Sequence, residues 1–144
     1  MTGVSQRVSE RRVVDFGGLG VVLVDSITQI LAEDAGRVVV SGSHGGTSAA
    51  FFAVRVPARL YVFNDAGIGK DRAGIRGLEV LERAGIAACV VSHDSARIGD
   101  AADTLHSGVV STANERALNI GIEPGLPIAC QLAALSGEDR SRAY

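Results

Sequence analysis

The sequence has no tryptophan, two tyrosines, four phenylalanines and three prolines in 144 residues. Aromatic stacking therefore cannot dominate the core, which must be built from Val, Ile, Leu and Ala. Two cysteines, Cys89 and Cys130, belong to no CxxC pair and no Cys/His cluster, which argues against a structural zinc site. Both read as reduced packing thiols, as expected in the cytoplasm. No uninterrupted apolar run approaches the roughly 18–20 residues that cross a bilayer, so a membrane partner is not expected. The opening residues MTGVSQRVSERR lack the apolar core of a secretory signal. Neither sign of charge dominates: 14 Lys and Arg face 16 Asp and Glu, for a net charge of −2. That balance provides no basic surface for nucleic acid.

Glycine is plentiful, at 18 residues. The glycines cluster after apolar runs, where tight turns or close ligand approach would need them. Hydrophobic residues make up 47% and charged residues 21%, which is globular composition. A mean hydropathy of +0.25 is high for a chain this short. Surplus apolar surface on a small domain points to a homo-oligomer. Residues 1–10 read as an N-terminal arm, 11–135 as one domain and 136–144 as a mobile tail.

Arg11 to Phe16 is β-leaning, Gly17-Gly18-Leu19-Gly20 breaks it, and Val21 to Thr28 reads as a strand that can pair with 12–16 in a hairpin. A helix from Asp25 is the alternative, because Val24, Ile27 and Leu31 also keep helical spacing. The runs RVVVSG (37–42), RLYVFN (59–64) and IAACVVS (86–92) lack alternation, as parallel strands covered on both faces do. Helical patterns follow at 48–56, 75–84 and 101–106. Val109-Val110 suggests a fourth short strand. Ser111 is placed to cap a helix over 112–120, and a last helix spans 127–135. Strand, polar loop and helix recur, which predicts a small three-layer α/β domain with a mainly parallel, or mixed, sheet, Rossmann-like or flavodoxin-like.

Ligands of such sheets bind beyond the carboxyl ends of the strands. Here those ends are unusually polar. The first carries Ser43, His44, Gly45, Gly46, Thr47 and Ser48. The second carries Asn64, Asp65 and Lys70, and the third His93, Asp94, Arg97 and Asp100. The opposite ends, VPAR and RAGIAA, offer little chemistry. Gly45 and Gly46 would let backbone pass close to a carboxylate or phosphate, and Thr47 and Ser48 would add hydroxyls. The loop after the second strand is neither a Walker A loop nor GxGxxG, since Asp71 follows Lys70 and Arg72 stands where a third glycine belongs.

Three chemistries suit this rim. Ser41-Gly42-Ser43-His44-Gly45 nearly matches the GxSxG elbow, so Ser43, Asp65 and His93 could act as nucleophile, orienting acid and base. Without a nucleophile, His44 or His93 would move protons, tuned by Asp65 or Asp94, while Lys70 and Arg97 neutralise substrate charge. Asp65 with Asp71, or Asp94 with Asp100, could hold a divalent cation, although nothing in the sequence requires a cofactor. Arg97 could equally pair with Asp94 or Asp100. The expected function is an enzyme on a small anionic metabolite, a hydrolase or an isomerase/lyase. The alternative is a non-catalytic anion-binding module using the same pocket, and a third reading is an assembly subunit whose rim is an interface. His106 is expected at a solvated helix end, and Asn114, after the possible fourth strand, is a minor site candidate. Phe51 and Phe52 point about 100° apart on one helix, so one should meet the sheet and the other a partner subunit.

Overall fold

The computed structural model describes residues 11–142, with the side chains of 138–142 excepted. The expected arm, 1–10, lies outside the described residues, as do positions 143 and 144 of the expected tail. Strands β1 (Arg12–Phe16) and β2 (Leu19–Val24) form an antiparallel hairpin. The positive φ of Gly17 and Gly18 turns it. The strand expected over 21–28 ends at Val24. A capping box stops it: the Ser26 hydroxyl accepts from the Thr28 N–H, and the Gln29 side chain accepts from the Ser26 N–H at 3.1 Å. Two 3-10 turns, Ile27–Gln29 and Ala32–Asp34, then lead to β3 (Val38–His44).

After β3 come α1 (Thr47–Ala53), β4 (Leu60–Asn64), α2 (Gly77–Arg83), β5 (Ala88–Val91) and α3 (Ala101–Ser107). Then β6 (Val110–Ala113), α4 (Glu115–Asn119) and α5 (Ile128–Arg142) complete the chain. The backbone of α5 thus continues as helix through positions read from sequence as tail. The fourth strand runs to Ala113, not Val110, because Cys89 pairs with Ala113 and Val90 with Thr112. The following helix is accordingly capped by Asn114 rather than Ser111: the Asn114 side-chain oxygen accepts the Ala117 N–H at 2.9 Å.

The six strands lie in chain order, β1 to β6. From β2 to β5 they are parallel, and β6 returns antiparallel to β5. This is a mixed α/β sheet without the reversal of strand order that opens a switch-point crevice in doubly wound folds. Steady progression in one direction sends right-handed crossovers to one face. Ile27, α1 and α2 do share a face, packing on Val22, Val39, Tyr61, Phe63 and Val90. The other face is covered by α3 and α5, through Leu105, Leu132 and Leu135, over Val21, Val40, Val62 and Cys89. Three layers result. Every residue of β4 and β5 is buried, which explains their unbroken apolar runs. Burial alone raises the Cys89 thiol to about 12 and leaves it inert.

On α1 the sheet-facing side is Ala49, Ala50 and Ala53. Neither phenylalanine meets the sheet, contrary to the sequence expectation: Phe51 is 62% and Phe52 40% exposed. Alanines let the helix approach closely, and the rings are turned to the opposite side, where Arg55 stacks on Phe52.

Candidate functional site

The ends of β4, β5 and β6 converge on one side chain, Asp65. It follows β4 directly and is 3% exposed. Asn64 and Asp65 make consecutive Asx turns, the local geometry these residue types favour. The Asn64 oxygen accepts the Ala66 N–H at 2.8 Å, and Asp65 Oδ1 accepts the Gly67 N–H at 2.7 Å. Asn64 is fully buried and its amide donates to the Ala96 carbonyl at 2.9 Å. It ties the second loop to the third, a structural task rather than a surface for substrate.

Asp65 has two further donors. The His93 N–H reaches Oδ1 at 3.0 Å, and the Ser111 hydroxyl donates to Oδ2 at 2.7 Å. No Lys or Arg pairs with it among the described residues. The His93 ring stands beside it, with Nδ1 3.6 Å from Asp65 Oδ1 and Nε2 3.2 Å from Asp94 Oδ1. The ring lies along the backbone of Gly67, and its side chain is 53% exposed. An anchored carboxylate thus backs an imidazole open to solvent. At 3.6 Å the Nδ1 contact is beyond hydrogen-bond range, so the carboxylate flanks the ring, a placement from which a small closure would orient it.

The loop supplying Gly67 is contorted. Every residue from Ala66 to Arg72 except Lys70 has positive φ. Four of these are not glycine, and Ile68 is β-branched with φ 67°, each costing about 1 kcal/mol. The shape is held by its own bonds, Ile68 N–H to the Asp65 carbonyl at 2.6 Å and Gly74 N–H to the Ile68 carbonyl at 2.8 Å. Gly74 must be glycine for space. A β-carbon there would lie 1.9 Å from the Asp65 carbonyl oxygen.

Residues of the first loop take other roles. The Ser43 hydroxyl oxygen accepts the Ile27 N–H at 3.0 Å, while the Ser43 N–H donates to the buried Ser41 hydroxyl at 3.0 Å. The Ser43–His93 hydrogen bond of a triad is not formed, and Ser111, not Ser43, is the hydroxyl that meets Asp65. Gly45 and Gly46 are buried against protein. A β-carbon at Gly45 would sit 2.7 Å from Val90 Cγ1, and the Gly45 carbonyl accepts the Gly77 N–H at 2.9 Å. Their close approach is to the 74–77 backbone. Thr47 and Ser48 are exposed at the start of a seven-residue helix. His44 is exposed at the end of β3, its ring over Gly46.

Lys70 and Arg97 are exposed and make no ion pair among the described residues. The expected salt bridge from Arg97 to Asp94 or Asp100 is absent there, because Asp100 caps α3 by accepting the Asp103 N–H at 2.9 Å and Asp94 faces His93. The Arg97 backbone N–H instead donates to Asp103 at 2.7 Å. Among the described residues no three His, Cys, Asp or Glu side chains group as metal ligands. His106 lies exposed in the last turn of α3.

A wide cleft lies beside this cluster, not over the glycine turn. About 700 Å³ in volume, it is bounded by Asp71, Arg72 and Arg76 on one side and Thr112 and Asn114 on the other. It shares the 66–72 loop and β6 with the Asp65 cluster. Sequence reasoning passed over Arg72 and Arg76 and gave Ser111 only a cap. The available signal was two arginines four residues apart directly after a Gly-rich loop. Asn114 is buried and saturated, donating to the Leu78 and Ile86 carbonyls and accepting from Ala88 and Ala117. It pins α2, β5 and α4 together.

No helix among the described residues is long and apolar enough to cross a membrane. Comparison with family models, curated proteins and solved structures finds no match to this chain.

Proposed function

We propose that the chain is an enzyme acting on a small carboxylated or phosphorylated metabolite by acid–base chemistry, as a hydrolase or an isomerase/lyase. The observation that carries this reading is the Asp65–His93 pair, a buried, anchored carboxylate behind a half-exposed imidazole. It stands beyond the carboxyl ends of the parallel strands β4 and β5, where their polar loops gather. His93 would give and take the proton through Nε2, and Asp65 would orient the ring through Nδ1. Asp94, exposed beside Nε2, would yield that position to substrate. Lys70 and Arg97, which make no ion pair among the described residues, would offset the substrate's negative charge. A cytoplasmic setting and a homo-oligomer belong to the same proposal, with exposed Phe51 and Phe52 as the apolar surface.

The test is a turnover screen over phosphate esters, carboxylate esters and hydroxy acids. Substituting His93→Gln is expected to lower kcat at least about 100-fold, with an unchanged circular dichroism spectrum. Full turnover in that variant, or no turnover of any compound, would remove the acid–base reading. A second reading, a non-catalytic binding module, is favoured by one observation. The cleft beside the Asp65 cluster is lined by arginines and by neither His44 nor His93. It predicts saturable binding without turnover.

A further inference from the structure

We infer that the cleft between α2 and β6 is a binding site for a small organic anion, a carboxylate or phosphate monoester on an apolar body, with Arg72 and Arg76 holding the charge. The inference rests on the anionic-ligand part of the reading above and is independent of proton transfer at His93. The volume, about 700 Å³, is that of an ordinary small-molecule pocket. Its floor is apolar, made by Ile75 and Leu78, which are 7% and 5% exposed. The far wall is β6, the last strand of the sheet. The 125–127 segment lies along its beginning only, through Val110 N–H to the Leu126 carbonyl at 3.1 Å and Gly125 N–H to the Val110 carbonyl at 2.7 Å. Thr112 is left to offer its hydroxyl to the cleft.

The charge balance selects the ligand. Of the three carboxylates that line the cleft, two are already paired. Glu79 meets Arg83 at 3.4 Å, and Glu82 meets Arg116 at 3.7 Å. Arg72 and Arg76 make no ion pair among the described residues, so two guanidinium groups face one unpaired carboxylate, Asp71. A planar fork of donors suits a carboxylate or phosphate in two-point contact. The apolar floor rewards a body that covers Ile75 and Leu78. Arg72 is also held at a left-handed φ of 61°, a conformation that folding alone disfavours.

The experiment is an amide ¹H–¹⁵N NMR titration of the full chain with phenyl phosphate, inorganic phosphate and benzyl alcohol. Saturable shifts are expected at 75–79 and 112–114. Phenyl phosphate should bind tighter than inorganic phosphate, benzyl alcohol weakest, and affinity should fall with added salt. Arg72→Gln and Arg76→Gln, both at exposed positions, should each weaken phenyl phosphate about tenfold. Unchanged affinity in both variants would overturn the inference. Shifts confined to 45–48 and 93–97 would also overturn it, while leaving the rim reading intact. Absence of any saturable shift would overturn it too, and the turnover screen would then decide the acid–base reading on its own.

Discussion

Two buried carboxylates sit at opposite ends of the sheet, and they are neutralised in different ways. Asp34 lies just before β3, at the amino end of the parallel strands, and is fully buried. The Arg11 guanidinium donates to both its oxygens, the Leu31 N–H donates to Oδ2 at 2.8 Å, and Arg37 stands at 3.8 Å. Asp65, at the carboxyl end, has only neutral donors and an imidazole. A carboxylate matched by fixed guanidinium groups is satisfied within the fold. One held by N–H and O–H groups is fixed in place without a cation of its own, beside a ring that it flanks. The backbone differs in the same sense. The residue after Asp34, Ala35, has an ordinary φ of −55°, whereas the stretch after Asp65 holds every non-glycine positive φ among the described residues.

The largest expected effect tests whether the Asp65 end depends on its loop being closed. Gly74→Ala would drive a methyl group into the Asp65 carbonyl oxygen, and overpacking against rigid backbone should cost about 3 kcal/mol or more. Urea unfolding measures it. A loss under 1 kcal/mol would show that the loop yields easily. Next in size is Arg11→Ala, which strips a buried carboxylate of its main partner. With Arg11 itself 20% exposed, about 2 kcal/mol is expected. Ser111→Ala removes one neutral donor from Asp65 and should cost about 1 kcal/mol. Equal losses from the two would erase the contrast between the ends.

The same contrast can be sharpened with pH. Burial pushes the Asp34 carboxyl up, but the Arg11 hydrogen bonds, the Leu31 N–H and the positive charges outweigh it and hold the carboxyl below its ordinary 3.8. A depressed folded value means that the stabilisation is fully present above about pH 4 and is lost as pH falls through the folded value. The stability gap between the native chain and Arg11→Ala should therefore be widest near neutrality and shrink in strong acid. Urea midpoints of both proteins across that range check it. A gap that widens on acidification would contradict the pairing.

The layered α/β plan was legible because its signal is local. Buried parallel strands such as RLYVFN read as unbroken apolar runs, and Pro57 and Gly85 mark helix ends. The convergence on Asp65 and His93 was half legible, since both follow strands. Ser111 was not, because its partnership spans 46 positions and depends on β6 running antiparallel, which no short window records. The glycine turn misled for a related reason. Glycine permits close approach but does not say to what, and at Gly45 the neighbour is the 74–77 backbone. Phe51 and Phe52 misled because helical spacing fixes their angular separation but not the rotation of the helix on the sheet.

The smallest expected effect is also the most direct reading of backbone strain. Ala66 is exposed with φ 51°, so its side chain contributes little burial while its conformation costs about 1–2 kcal/mol. Replacing it with glycine removes that cost and adds about 0.5–1 kcal/mol of chain entropy in the unfolded state. Ala66→Gly should therefore stabilise by about 0.5 kcal/mol. Ala35→Gly, at an exposed residue with ordinary φ, adds only the entropy and should destabilise by a similar amount. Measured side by side by urea unfolding, the two substitutions should move in opposite directions. Equal losses at both positions would mean that the loop after Asp65 carries no stored strain, and the two ends of the sheet would then differ only in what their carboxylates touch.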